Sequence, residues 1–213
     1  MKNMENEKSF KIVSICALLV GVVGLTLGFA AYTNTLTIKS SASVEPTATK
    51  LDVTLQPSTG TGTTVAGEAT GGATAASATI DNSGANPVIQ GLAATFTAPG
   101  QTVTYTFNAK GDANYIAYLT GIDFGTAKSC TAGSGATASL VTAACNGISI
   151  KASVGGKEYS ATTTGITDSS IAKGGTTPIV VTITYAAGSE VADGPFTVAF
   201  GDIVLSYTSA PTA

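Results

Sequence analysis

The sequence predicts an all-β fold, a β-sandwich of jelly-roll or Greek-key type, preceded by one N-terminal hydrophobic helix. Three observations carry this. Short runs rich in Thr, Val, Ile, Tyr and Phe alternate apolar and polar residues with period two, and Gly, Asn, Asp and Pro separate them. The helix formers Glu, Lys, Arg, Leu and Met are scarce beyond residue 31. Residues 12–31, by contrast, form a 20-residue stretch without a single charge.

That stretch would span about 30 Å as a helix, the hydrocarbon thickness of a bilayer. It follows a short segment holding Lys2, Lys8 and Lys11 and ends in small residues. Gly28 and Ala30 stand as the −3 and −1 positions of a signal-peptidase site, so cleavage is expected after Ala30 or Ala31. Residues 1–31 are thus a signal peptide or a membrane anchor, residues 32–49 an N-terminal extension, and residues 50–213 the β-domain. The chain beyond the leader is expected at the cell surface or outside the cell.

In the extension, Leu36, Ile38, Ala42 and Val44 share one parity, while Thr35, Thr37 and Lys39 share the other. This is a half-apolar strand. Two roles are open to it: a strand donated to a neighbouring copy, or the first strand of its own sandwich. Residues 50–56 repeat the alternation through Leu51, Val53 and Leu55. Residues 57–76 are low-complexity Gly, Thr and Ala and predict a flexible loop. Short strands follow at 77–82 and 87–92, around the turn Asn82-Ser83-Gly84-Ala85-Asn86.

The run 95–107 contains Ala98-Pro99-Gly100-Gln101, a turn with Pro at i+1 and Gly at i+2. It leads into Val103, Tyr105 and Phe107 alternating with Thr102, Thr104 and Thr106. A strand is expected at 115–124 and a cysteine-bearing loop at 125–146. Residues 148–154, the Gly155-Gly156 turn and residues 157–163 give the clearest hairpin in the chain. After a strand at 178–185, Phe196, Val198 and Phe200 hold one parity and Ile203, Leu205 and Tyr207 the other. The flip across Gly201-Asp202 predicts a β-bulge or a kink between two strands. About nine or ten short strands with no convincing helix after residue 32, joined by long connections at 57–76 and 125–146, favour Greek-key or jelly-roll topology over a meander. No fixed repeat suggests a solenoid or propeller.

Cys130 and Cys145 are the two cysteines outside the leader, and in an oxidising compartment they are expected to pair. The loop they close would stabilise the fold by about 3 kcal/mol in the chain-entropy model. Cys16 lies within the apolar stretch; Val13-Ser14-Ile15 before it is a poor lipobox, so it reads as a small apolar residue of the helix.

The pattern contains no catalytic constellation. The chain has no His, which excludes Ser-His-Asp and Cys-His arrangements and His-bearing zinc sites. It has no G-x-S-x-G elbow, P-loop or dinucleotide fingerprint. All 10 basic residues are Lys and the net charge is −3, so no electrostatic footprint for nucleic acid exists. The absence of Trp argues against a sugar-hydrolase cleft. Asp112, Asp123, Asp168, Asp193 and Asp202 are the residues a calcium site would draw on, but no EF-hand spacing groups them, and Asp is a common turn residue. The expectation is a non-enzymatic protein without cofactor or metal.

Two stretches together resemble a family. The first is Gly28-Phe29-Ala30-Ala31-Tyr32-Thr33-Asn34 followed, after a spacer, by Lys50-Leu51-Asp52-Val53-Thr54-Leu55. The second holds Ala98-Pro99-Gly100-Gln101, Val103-Thr104-Tyr105-Thr106-Phe107 and Ala117-Tyr118-Leu119-Thr120. They are similar to the TasA/camelysin family of Firmicutes surface proteins, with its small-residue cleavage site, its L-D-[LV]-x-[LV] strand, its P-G-[DQ] turn and its A-[YF]-L strand. Gly111-Asp112-Ala113-Asn114 departs from the family's N-x-G turn. The resemblance covers under half of the domain, and the cysteine loop lies outside it. It implies a jelly-roll domain, exported and assembled into biofilm-matrix fibres by strand donation. The protease activity ascribed to some relatives does not transfer to a chain without His or a zinc motif.

The expected partner is therefore the chain itself, joined head to tail, with the membrane as a partner of the N-terminal segment before processing. The alternative is a membrane-anchored monomeric surface domain, an adhesin or carbohydrate-binding module. The chain carries no L-P-x-T-G sorting signal.

Overall fold

A computed structural model of the protein describes residues 51–209. The expectation of an all-β fold holds: among the described residues 17 strands and one short helix build three antiparallel sheets around a shared core.

The first sheet rests on three long strands, β8 (Thr102–Lys110), β11 (Ile148–Val154) and β15 (Thr176–Tyr185). β15 lies between the other two, pairing Thr106 with Val180 on one side and Ser153 with Val180 on the other. Their inward parity is apolar throughout. Val103, Tyr105, Phe107, Ala109, Ile179, Val181, Ile183 and Tyr185 are fully buried, and Thr102, Thr104, Thr106, Thr182 and Thr184 face outward. β-Branched and aromatic residues fit such a pleated, one-sided surface. β1 (Thr54–Pro57) and β3 (Glu68–Thr70) flank β8, and β12 (Lys157–Tyr159) flanks β11.

The second sheet runs β13 (Thr163–Thr164), β9 (Ala117–Asp123), β17 (Ile203–Thr208), β6 (Val88–Gln90), β5 (Ala78–Asp81), β2 (Thr64–Val65), with β14 (Ser170–Ile171) also on β9. The third runs β10 (Ser129–Ala132), β16 (Phe196–Ala199), β7 (Ala93–Phe96), β4 (Thr74–Ala75). Neighbours come from distant parts of the chain, as a Greek-key or jelly-roll fold requires.

The parity flip near residue 201 resolves as a kink. β16 ends at Ala199 in the third sheet, and β17 begins at Ile203 in the second. Gly201 sits where the chain crosses: a Cβ there would stand 2.4 Å from the Thr126 N, so no larger residue fits without backbone movement. β6 and β7 make the same sheet change around Leu92, whose C=O accepts from the Phe200 N–H at 2.9 Å. The expected hairpin at Gly155-Gly156 forms β11 and β12. Both glycines have positive φ (59° and 89°), as a tight two-residue turn between twisted strands demands.

Aromatic rings tie the first sheet to the third. Tyr185 meets Phe96 and Phe196 edge-on, with centroids 5.9 and 5.4 Å apart. The Tyr105 hydroxyl, buried beneath β8, donates to the Ala93 C=O (2.7 Å) and the Ala76 C=O (2.9 Å) of the facing layer. Tyr159 and Tyr207 lack such an arrangement. Their hydroxyls are buried and have no hydrogen-bond partner among the described residues. Burial pushes both phenols above the ordinary tyrosine range, Tyr207 strongly so.

Two expectations need correction. Residues 57–76 are not a flexible loop: they contain β2, β3 and β4, each pairing with a strand of a different sheet. Their Gly, Thr and Ala composition carries no alternation, but backbone groups beside an open sheet edge find ladder partners whatever the side chains are. The loop 125–146 is likewise structured, as β10 and a helix, α1 (Ala138–Cys145). Its Ala-Ser-Leu-Val-Thr-Ala-Ala-Cys sequence favours helix, and Val141 and Ala144, one turn apart, bury its inner face.

The contrast among tyrosines gives a test by chemical denaturation. Tyr105→Phe should lower the unfolding free energy by about 0.5–1.5 kcal/mol, because the Ala76 and Ala93 carbonyls lose the hydroxyl's hydrogen bond, although the Ala93 C=O keeps the Ala76 N–H. Tyr207→Phe should leave it unchanged or raise it by up to about 1 kcal/mol, because the hydroxyl removed satisfies nothing.

Candidate strand-accepting edge and its surroundings

In a β-sandwich the chemically demanding surfaces are the sheet edges. Each leaves a row of N–H and C=O groups that need partners. Most edges here are closed. On the β8 side of the first sheet, β1 covers residues 107–110, the Ser58 N–H reaches the Thr106 C=O at 3.3 Å, and β3 covers residues 102–104. The chain's detour between β1 and β3 leaves only a polar notch of about 330 Å³, lined by Ser58, Thr64, Glu68, Thr104 and Thr106 among others. Beyond β1, the Asn82 side chain serves as a one-residue strand. Its amide oxygen takes the Leu55 N–H at 2.9 Å and its amide nitrogen donates to the Leu55 C=O at 3.0 Å.

In the second sheet the outer edge of β9 is covered by β13 and β14. Between them the Ile166 N–H bonds the Thr120 C=O and the Leu119 N–H bonds the Ser169 C=O. The outermost pieces, β2, β4, β13 and β14, are two residues each, too short to template a partner.

Two longer stretches lack a strand neighbour on one side among the described residues, the outer side of β10 and part of β11. β12 pairs with residues 152–154 and then stops, so residues 148–151 have no strand on that side among the described residues. The hairpin fixes which groups are left. Val154 and Ala152 face β12, so by alternation Ile150 and Ile148 point their N–H and C=O outward at the same edge. One group is taken: the Lys128 ammonium donates to the Ile148 C=O. Burial holds the Lys128 amine below the ordinary lysine range. The side chains tell the same story. Along the inward parity of β11, Ile148, Ala152 and Val154 are at most 3 % exposed, and only Ile150 remains partly uncovered.

Helix α1 and β10 stand at one end of this gap. Cys130 on β10 and Cys145 at the last turn of α1 form the expected disulfide, with Cα atoms 6.2 Å apart. The start of α1 is fixed from across the fold. The Thr137 N–H and hydroxyl both donate to the Asp193 carboxylate, which also sits favourably at the positive end of the helix.

The other residues singled out in the sequence are dispersed. Asp112 is buried and accepts from the Asn114 and Asp52 N–H groups. Asp123 accepts from the Thr162 hydroxyl and the Gly125 N–H, Asp168 pairs with Lys157, and Asp202 accepts from Gln90. Among the described residues no three His, Cys, Asp or Glu side chains converge on one point. The cleavage positions Ala30 and Ala31, the strand residues Leu36, Ile38, Ala42 and Val44, and Cys16 lie outside the described residues. The free edge of β11 was not visible in the sequence, since alternation marks a strand but not its neighbours.

Hydrogen bonds hold several carboxylates below the ordinary range: Asp112 through the Asn114 and then the Asp52 N–H, Asp123 through the Thr162 hydroxyl and then the Gly125 N–H, Asp193 through the Thr137 hydroxyl and then its N–H. A depressed carboxylate contributes stability above its unfolded pKa, near 3.9, and loses it as pH falls through the folded value. With no His in the chain, Tm should be level from about pH 5 to pH 8 and should fall below about pH 4. Asp112→Asn should flatten that acid decline. Reduction of the disulfide, read by denaturation with and without a reductant, should cost about 3 kcal/mol, and non-reducing peptide mapping should recover Cys130 and Cys145 in one cross-linked pair.

No protein-family model, no curated protein and no solved structure matches the chain.

Proposed function

We propose that this protein is an exported structural protein of the cell surface, a subunit of TasA-like extracellular filaments that joins its copies head to tail by β-strand donation and catalyses no reaction. The observation that carries this reading is a pair of complementary parts in one chain. Residues 33–44 hold a half-apolar strand directly after a signal-peptidase site. The described domain leaves a stretch of internal strand unpaired. A donated strand satisfies such an edge with main-chain hydrogen bonds and takes its specificity from alternate side chains. A heterologous contact of this kind does not close, so repetition gives a filament.

The second reading is a membrane-anchored monomeric surface domain. The length of the uncharged stretch 12–31 favours it equally, because the same 20 residues serve as a leader or a span. Among the described residues no helix is long and apolar enough to cross a membrane.

Intact mass of protein recovered from the cell surface separates the two. A mass beginning after Ala30 or Ala31 is the expected result, and one that includes residues 1–30 favours the anchored domain. In electron micrographs the processed protein should form filaments, and Leu36→Asp together with Ile38→Asp should abolish them while leaving a folded monomer. Each apolar side chain lost from a groove removes about 1.5–3 kcal/mol of fully buried surface. Unfolding of the double variant would assign residues 33–44 to their own sandwich.

A further inference from the structure

We propose that Asn146-Gly147 is a site of spontaneous covalent modification, asparagine deamidation through a cyclic imide, and that the Cys130–Cys145 disulfide is the latch that keeps it closed. The proposal is independent of how copies of the chain associate. This is the one Asn-Gly pair in the sequence, and Asn146 is exposed. Glycine in second place favours the reaction because no side chain shields the attacking nitrogen. The Gly147 N gives up its proton to base and attacks the Asn146 Cγ. The new N–Cγ bond closes a five-membered imide, and the Cγ–Nδ2 bond breaks to release ammonia. Water then opens the ring. Breaking the N–Cγ bond leaves an aspartate in place of Asn146. Breaking the bond from the Gly147 N to the main-chain carbonyl leaves an isoaspartate, whose main chain runs through the side chain and is one methylene longer. Asp193-Gly194 offers the same backbone, but the Thr137 N–H and hydroxyl hold its carboxylate ionised, a poor target for attack.

The fold holds the pair short of the reacting geometry. Asn146 caps α1 at φ −62° and ψ −29°, whereas the ring closes only when ψ turns well away from helical values. The nucleophile is engaged as well. The Gly147 N–H donates to the Ala144 C=O at 3.0 Å, and the Asn146 N–H to the Ala143 C=O at 3.2 Å. On its other side Gly147 accepts from the Ala186 N–H at 2.9 Å and lies close against Ser189, whose Oγ would stand 2.2 Å from a Cβ placed there. These bonds end a helix of 8 residues that buries only Val141 and Ala144, too short to persist alone. Its last turn is pinned by Cys145, the neighbour of Asn146, through the disulfide to Cys130, which pairs with Val198 of β16. The other tether, Asp193 on Thr137, stands at the opposite end of the helix. Without the disulfide the last turn opens locally, ψ of Asn146 turns freely and the Gly147 N is released. The product then opposes closure. It places a carboxylate at the negative end of the helix dipole, and as isoaspartate it lengthens the main chain where α1 leads into β11. Reduction can be reversed, but the modification it admits cannot.

Incubation of the full-length protein at mildly alkaline pH, with and without a reductant, followed by peptide mapping of Asn146, tests this. With the disulfide intact, conversion should run at least about tenfold slower than in the reduced, chemically denatured chain. Reduction of the native protein should bring it to within about threefold of the denatured rate, with the Gly147 amide losing protection from hydrogen exchange while the Tyr105 amide keeps its own. Cys130→Ala together with Cys145→Ala should reproduce this without reductant. Asn146→Gln should abolish the product and leave the fold unchanged. Conversion in the intact protein at the denatured rate would show that the fold does not restrain the pair. An unchanged rate in a reduced but folded protein would remove the disulfide as the latch. Loss of protection at Gly147 and Tyr105 together would make the opening global rather than local. Each of these three results overturns the proposal.

Discussion

Everything in this domain is registered on the pairing of β15 with its two neighbours. Nine residue pairs join it to β8 and seven to β11, so a single strand fixes the height of every rung in the first sheet. Because strand side chains alternate, a slip of one residue would turn Val103, Tyr105, Phe107, Ile179, Val181 and Ile183 outward and put threonines in the core. That cost is what makes the register unique. The opposing layer then has defined features to meet: Tyr185 sits between Phe96 and Phe196, and the Tyr105 hydroxyl reaches the carbonyls of Ala76 and Ala93. The two-residue strands, the sheet-changing kinks at Leu92 and Gly201 and the helix all hang on this frame.

The same frame explains why the edges matter. A central ladder of nearly ten residues is longer than any strand that flanks it, so its flanks must be assembled from pieces. On β8 those pieces are β1, the Ser58 N–H and β3; on β11 they are β12 and the Lys128 ammonium. Asn82 performs the equivalent task for β1 with a side-chain amide. Among the described residues this patching leaves Ile150 without a strand partner on the β12 side and only partly buried. Nearby, the disulfide binds α1 to β10, and Asp193 holds the first turn of that helix. A covalent tie and a charge-assisted cap are appropriate here, since an 8-residue helix with two buried side chains would not hold its position on propensity alone.

The sequence by itself determined which residues form the long strands and which way they face. Val103, Tyr105 and Phe107, the hairpin at Gly155-Gly156, the kink at Gly201 and the pairing of Cys130 with Cys145 were all legible, because alternation, turn chemistry and cysteine count are local properties of the chain. It also set apart the uncharged stretch 12–31 and the half-apolar strand of Leu36, Ile38, Ala42 and Val44. Only the tertiary structure decided which strands are neighbours, that the Gly/Thr/Ala segment 57–76 supplies three of them, that 138–145 is helical, and that part of β11 has no strand on one side among the described residues. Side-chain pattern is written along one strand, whereas a backbone N–H or C=O is satisfied by whichever distant segment the fold brings beside it. Bland sequences can therefore become strands, and a strongly patterned strand can be left with its edge exposed.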